Sequence, residues 1–81
     1  MKTMRIGSSI INLDSFISIE NRDCDDGVIV TIEHENSIKE YLAPDFHDPE
    51  RVAAAIHKGI RESENFDLIP KLHALERIYG G

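Results

Sequence analysis

Apolar residues recur at every second position in the series Ile11, Leu13, Ile17 and Ile19, with Asn12, Asp14, Ser18 and Glu20 among the positions between them. A period of two belongs to a strand with one buried face. It predicts a strand from about Ser15 to Arg22, with Ile11 and Leu13 pinning its approach. Phe16 stands on the polar side of this pattern and is expected to cover a flank of the sheet. The next stretch, Gly27 to His34, places Val28, Val30 and Ile32 on one face and Ile29, Thr31 and Glu33 on the other. Its β-branched residues suit a pleated, half-buried surface, and it reads as the middle strand. Asp26-Gly27 before it and Glu35-Asn36 after it supply the turns of two hairpins. Ser37 to Leu42 is the third strand. Its alternation is poor, because Ile38 and Leu42 share a face with Glu40, and a bulge or an edge position accounts for that. Residues 1–9 show no period and are read as a loose lead-in. A second methionine at Met4 leaves the biological start open between Met1 and Met4.

The period then changes. Asp48 can cap a helix and Pro49 suits its first position, where no donor is missed. Val52, Ile56 and Ile60 mark one face, widened by Ala53, Ala55 and Gly59. Gly59 costs about 1 kcal/mol relative to alanine inside a helix, so close packing is expected there. Asn65 stops this helix. Asp67 can cap another, with Pro70 inside the tolerant first turn. Leu68, Leu72, Leu75 and Tyr79 form its apolar stripe, reinforced by Ile69 and Ile78, before Gly80 and Gly81. The expected architecture is a single α+β domain over 1–81: a three-stranded antiparallel β-meander at about 11–43, followed by two C-terminal helices at about 49–64 and 67–79.

Charge sharpens this outline. The net charge is −6, but Asp14 to Glu50 carries eleven acidic residues against Arg22 and Lys39, while the chain from Arg51 onward is nearly neutral. A strongly acidic sheet argues against direct nucleic-acid binding. At 81 residues, with 41% hydrophobic and 30% charged, the chain has the composition of a soluble globular domain. It contains no apolar run of membrane-spanning length, no signal-peptide core and one cysteine, which excludes an internal disulfide. The expected location is cytoplasmic.

Motifs for chemistry are sparse. Taking Gly27 as the sixth position of a calcium loop puts Glu33 at the twelfth but Arg22 at the first, where a carboxylate is needed. His34, His47, His57 and His73 have no second histidine or cysteine at a chelating short spacing. Cys24 stands among three aspartates, whose charge opposes thiolate formation. No serine elbow, phosphate-cradling glycine loop or dinucleotide fingerprint is present. No catalytic, metal or cofactor residue is therefore assigned.

Two resemblances carry no assignment. The ending Tyr79-Gly80-Gly81 is similar to that of ubiquitin-like modifiers, but those place a helix after the first hairpin, where this chain has a third strand pattern. Residues 11–60, through Ile11–Asp14, Ile17–Glu20, the Val28–Ile32 strand and the helix after it, resemble small bacterial meander-plus-helix proteins such as the flagellar FlbD-type family. The chain lacks that family's proline-containing first turn and its glycine at the second turn, and adds a helix. The shared pattern is nearly generic for three short strands and a helix.

The expectation that remains is a small non-enzymatic protein-interaction or accessory module. Glu20, Glu33 and Glu40 are the interaction candidates on the acidic sheet half, and Leu68, Leu72, Leu75 and Tyr79 those on the last helix. Its partner is another protein or a second copy, with a homodimer through the last helix expected. The rivals are a small enzyme or metal-dependent protein using the histidines, and an acidic DNA-mimicking inhibitor.

Overall fold

The computed structural model describes the backbone of residues 1–78 and the side chains of residues 1–74. Six strands and two helices follow in the order β1 (Thr3–Ile6), β2 (Ser9–Asn12), β3 (Ser18–Cys24), β4 (Gly27–His34), β5 (Ser37–Pro44), α1 (Pro49–Glu62), β6 (Asn65–Asp67) and α2 (Leu68–Ile78). The class is α+β. The meander is present as the antiparallel sheet β3-β4-β5, with β4 spanning the predicted residues and both hairpins closing on two-residue loops. Val28, Val30 and Ile32 are buried on its inner face, joined by Ala43 of β5. The pairing of β5 with β4 runs through eight residue pairs without a break, so the poor alternation of β5 comes from its edge position and not from a bulge.

The lead-in does not exist as such. Residues 3–12 form a hairpin, and β1 is the middle strand of a second sheet, β2-β1-β6. Met4, Ile6 and Ile11 alternate on its inner face and are buried. Gly7-Ser8 makes the turn, with positive φ at the glycine alone, as a type II′ loop requires. Two short alternating segments joined by Gly-Ser were the available signal, too brief to register as a period. The expected first strand is likewise shifted: Ser15 to Ile17 are linker, and Ser15 takes a left-handed conformation (φ 62°). Leu13 is buried in that linker, and its N–H donates to the Lys2 carbonyl (2.8 Å).

Asp48 caps α1, its carboxylate accepting from the N–H groups of Glu50 and Arg51, with Pro49 opening the helix. Val52, Ala55 and Ile56 face the core. The helix ends at Ser63 instead of Asn65, and the Lys2 ammonium donates to the Ile60 and Ser63 carbonyls there, where a cation suits the helix dipole. Gly59 is the predicted close approach, since a Cβ there would lie 2.5 Å from Phe66 Cε2. Phe66 sits on β6, a three-residue strand parallel to β1 in place of the expected helix stop at Asn65 and helix cap at Asp67. Asp67 instead places its carboxylate 3.6 Å from Arg5 Nε across that pairing. At the chain start the Met1 amine bonds Glu64 (3.0 Å), which holds its pKa above the ordinary value.

Gly27 occupies the tightest point of the meander. Its φ is +151°, and a Cβ would fall 2.2 Å from the Ala43 carbonyl oxygen. That oxygen belongs to the paired backbone of β5 and cannot retreat alone. Gly7, also at positive φ, has nothing within 4 Å of the same position. Gly27→Ala is therefore expected to lower the urea midpoint well beyond Gly7→Ala, adding steric overlap to a backbone strain of roughly 1–3 kcal/mol. Equal losses in the two variants would show that the β4–β5 contact is not what selects glycine.

Candidate interaction surface

Alternation along a strand and register across the sheet decide which side chains share a face. On the outer face of β3-β4-β5 the cross-strand rows are Ser18–Glu33–Ile38, Glu20–Thr31–Glu40 and Arg22–Ile29–Leu42. The three acidic candidates, one from each strand, thus converge on a single face. They are not alone there. Ile38 is 66% exposed and Leu42 41% exposed, so the acids are interleaved with aliphatic side chains from the edge strand. The residues behind the poor alternation of β5, Ile38 and Leu42 on one face with Glu40, are the apolar half of this surface.

The charges are partly self-compensated. Arg22 Nη2 reaches Glu40 Oε2 at 3.2 Å, bridging over β4. Both side chains are more than half exposed, so the pair stabilises the fold by about 0–1 kcal/mol and is free to exchange partners. Ser18 Oγ donates to Glu33 Oε1 (3.2 Å). Glu20 has no ion-pair partner among the described residues. The core lies behind the sheet, where Val28, Val30 and Ile32 belong to one buried cluster with Val52 and Ile56 of α1.

The last helix answers differently. Leu68 is fully buried and Leu72 is 2% exposed, both within this chain's own core. The expected dimer stripe is therefore interior at these two positions. The reason is the second sheet: Met4, Ile6 and Ile11 supply an apolar floor that a three-stranded protein would lack, and α2 packs on β1, β6 and α1. The side chains of Leu75 and Ile78, and all of Tyr79, Gly80 and Gly81, lie outside the described residues.

The histidines are dispersed in function. His34 Nε2 donates to the Asn12 carbonyl (2.9 Å), which places a proton on that nitrogen. His47 Nδ1 bonds Asp23 Oδ1 at 3.0 Å, and the His73 ring lies against Phe46, centroids 5.3 Å apart. His57 is exposed on α1. Among the described residues no three or more His, Cys, Asp or Glu side chains gather as metal ligands would. Arg22, first in the calcium-loop reading, is engaged with Glu40, and Asp23 with His47.

The outer face thus combines three carboxylates, one guanidinium and the aliphatic side chains of Ile29, Ile38 and Leu42, and no described helix covers it. No family model matches the chain, and no curated protein or solved structure matches it.

Proposed function

We propose that this protein is a non-enzymatic interaction module whose outer sheet face docks a partner protein presenting basic and aliphatic side chains. The observation that carries the reading is the convergence of Glu20, Glu33 and Glu40, from three strands, on one uncovered face beside exposed Ile38 and Leu42. Opposite charge steers the encounter, and the aliphatic pair contributes affinity once water is excluded. A cytoplasmic setting belongs to the same reading. Among the described residues no helix is long and apolar enough to cross a membrane.

The alternative occupant is a second copy, joined through the β5 edge that borders this face. Two β5 edges paired antiparallel about Glu40 would set Ile38 of one chain opposite Leu42 of the other. They would also set Glu40 against Glu40, and like charges directly opposite destabilise a pair. Self-association then depends on Arg22, which already reaches Glu40 in each chain.

Reversing Glu20, Glu33 and Glu40 to lysine is expected to leave the circular dichroism spectrum unchanged and to abolish cross-linking to the partner in extracts of the source cell. Capture by the wild type should also fall as salt rises toward 0.5 M. Cross-linking indifferent to both would leave the face a solvated surface. Light scattering on the wild type identifies the occupant. Twice the chain mass makes it a second copy, and a single-chain mass makes it a different protein.

A further inference from the structure

The β3 edge facing away from β4 is open. The Asp45 N–H donates to the Asp26 carbonyl (3.1 Å), one step beyond the Gly27–Pro44 pair. Backbone groups along an antiparallel strand alternate between its two neighbours, so the even residues of β4 turn to β5 and the odd ones to β3. Across that pairing Ser18, Glu20, Arg22 and Cys24 turn inward to β4. Ile19, Asn21 and Asp23 therefore direct their N–H and C=O groups to the free edge, where no hydrogen bond from another described element reaches them. Groups of this kind are solvated when unpaired, and a strand can replace the water.

Beside this edge runs a groove of about 240 Å³ between β3 and α1, lined by Phe16, Ile19 and Asn21 on one side and by Ala53, Ile56, His57 and Ile60 of α1 on the other. Its walls are mostly apolar, and His57 and Asn21 are the polar residues among them. Asn21 Oδ1 is buried and has no hydrogen-bond partner among the described residues, and a buried acceptor left unpaired is destabilising. An external donor would relieve that cost. At the hairpin end Asp23, Asp25 and Asp26 are all exposed, and among the described residues only Asp23 of the three has an ion-pair partner, His47.

We propose that this edge and groove take an extended segment of another protein as a fourth, antiparallel strand. The segment residue opposite Asn21 shares its face and enters the groove. Threonine fits there, its methyl against Ile56 and its hydroxyl donating to Asn21 Oδ1. An antiparallel segment places the residue two positions earlier beside Asp23, and the acidic hairpin end selects lysine or arginine there. This is strand addition: main-chain bonds supply affinity, and alternate side chains supply specificity. The groove lies on the inner side of β3, away from the Glu33 and Glu40 surface, so reversing those two residues leaves this binding intact.

Amide exchange on the free protein tests the edge without a ligand. The N–H groups of Ile19, Asn21 and Asp23 should exchange much faster than those of Glu20 and Arg22; equal protection would mean that the edge is closed and would end the proposal. The full chain is then used to select from phage-displayed random eight-residue segments. Enrichment of Lys/Arg-x-Thr is expected, with affinity falling at least about tenfold on Ala53→Arg, which fills the groove from the helix surface. Asp23→Lys, at an exposed position, should weaken the same segments independently of any effect of Ala53→Arg on folding. Asn21→Leu should shift the preference from threonine to valine, by roughly three- to tenfold for one hydrogen bond. No enrichment over an unrelated protein, or segments that bind Ala53→Arg and Asp23→Lys as well as the wild type, overturns the assignment.

Discussion

Replacing Leu72 by aspartate unfolds this protein instead of releasing single chains from an assembly. Leu72 packs with Met4, Val52 and Leu68 in one continuous core. Truncating such a side chain to alanine removes transfer energy and leaves a cavity, together about 2–5 kcal/mol. Aspartate adds a carboxylate with no buried cation to meet it, which costs several kcal/mol more. A domain of this size has roughly 4–12 kcal/mol in total, at 0.05–0.15 kcal/mol per residue. The Leu72→Asp protein should therefore show no cooperative urea transition and lose its near-ultraviolet dichroism, while Leu72→Ala remains folded with a lowered midpoint. A Leu72→Asp chain that stays folded and merely halves its mass in light scattering would restore α2 as a dimer interface and contradict the packing described here.

Deleting residues 1–8 has an effect of the same order, although residues 1–9 show no period and read as a loose lead-in. The deletion removes β1, the strand that both β2 and β6 pair with, and takes Met4 and Ile6 out of the core. Burial of two such side chains contributes about 3–6 kcal/mol at 1.5–3 kcal/mol each. The loss extends further, because Ile11, Phe66 and Leu68 would lose their common neighbour. The Lys2 contacts that close the end of α1 also disappear. The shortened chain is expected to be non-cooperative in thermal unfolding. A midpoint within a few degrees of the full chain would mean that the meander and helices are stable alone and that the second sheet is an appendage.

The two expectations share a cause, which shows how far the sequence reaches. Features governed by neighbours in the chain were legible. The Val28–Val30–Ile32 alternation specified β4, Asp48-Pro49 specified where α1 begins, and Gly59 pointed to a close contact. Each depends on local backbone geometry or on one residue's side chain, and tertiary packing had only to agree. The acidic candidates were legible as residues but not as a surface. Glu20, Glu33 and Glu40 are separated by 13 and 7 positions in the chain, and only the register of two hairpins brings them, with Ile38 and Leu42, onto one face.

What tertiary structure alone decided is the second sheet and everything that depends on it. β1 and β2 are four residues each and β6 is three, too short to show a period. Strands of that length are not stable by themselves; they form because β6 returns after α1 to the free edge of β1, a pairing across some 60 residues. That closure created the apolar floor beneath α2. The stripe Leu68–Leu72 was readable from the spacing of its leucines, but spacing states only that a face must be buried. Whether it is buried by another copy or by the chain itself depends on how much apolar surface the remaining strands offer, and the N-terminal hairpin supplied it.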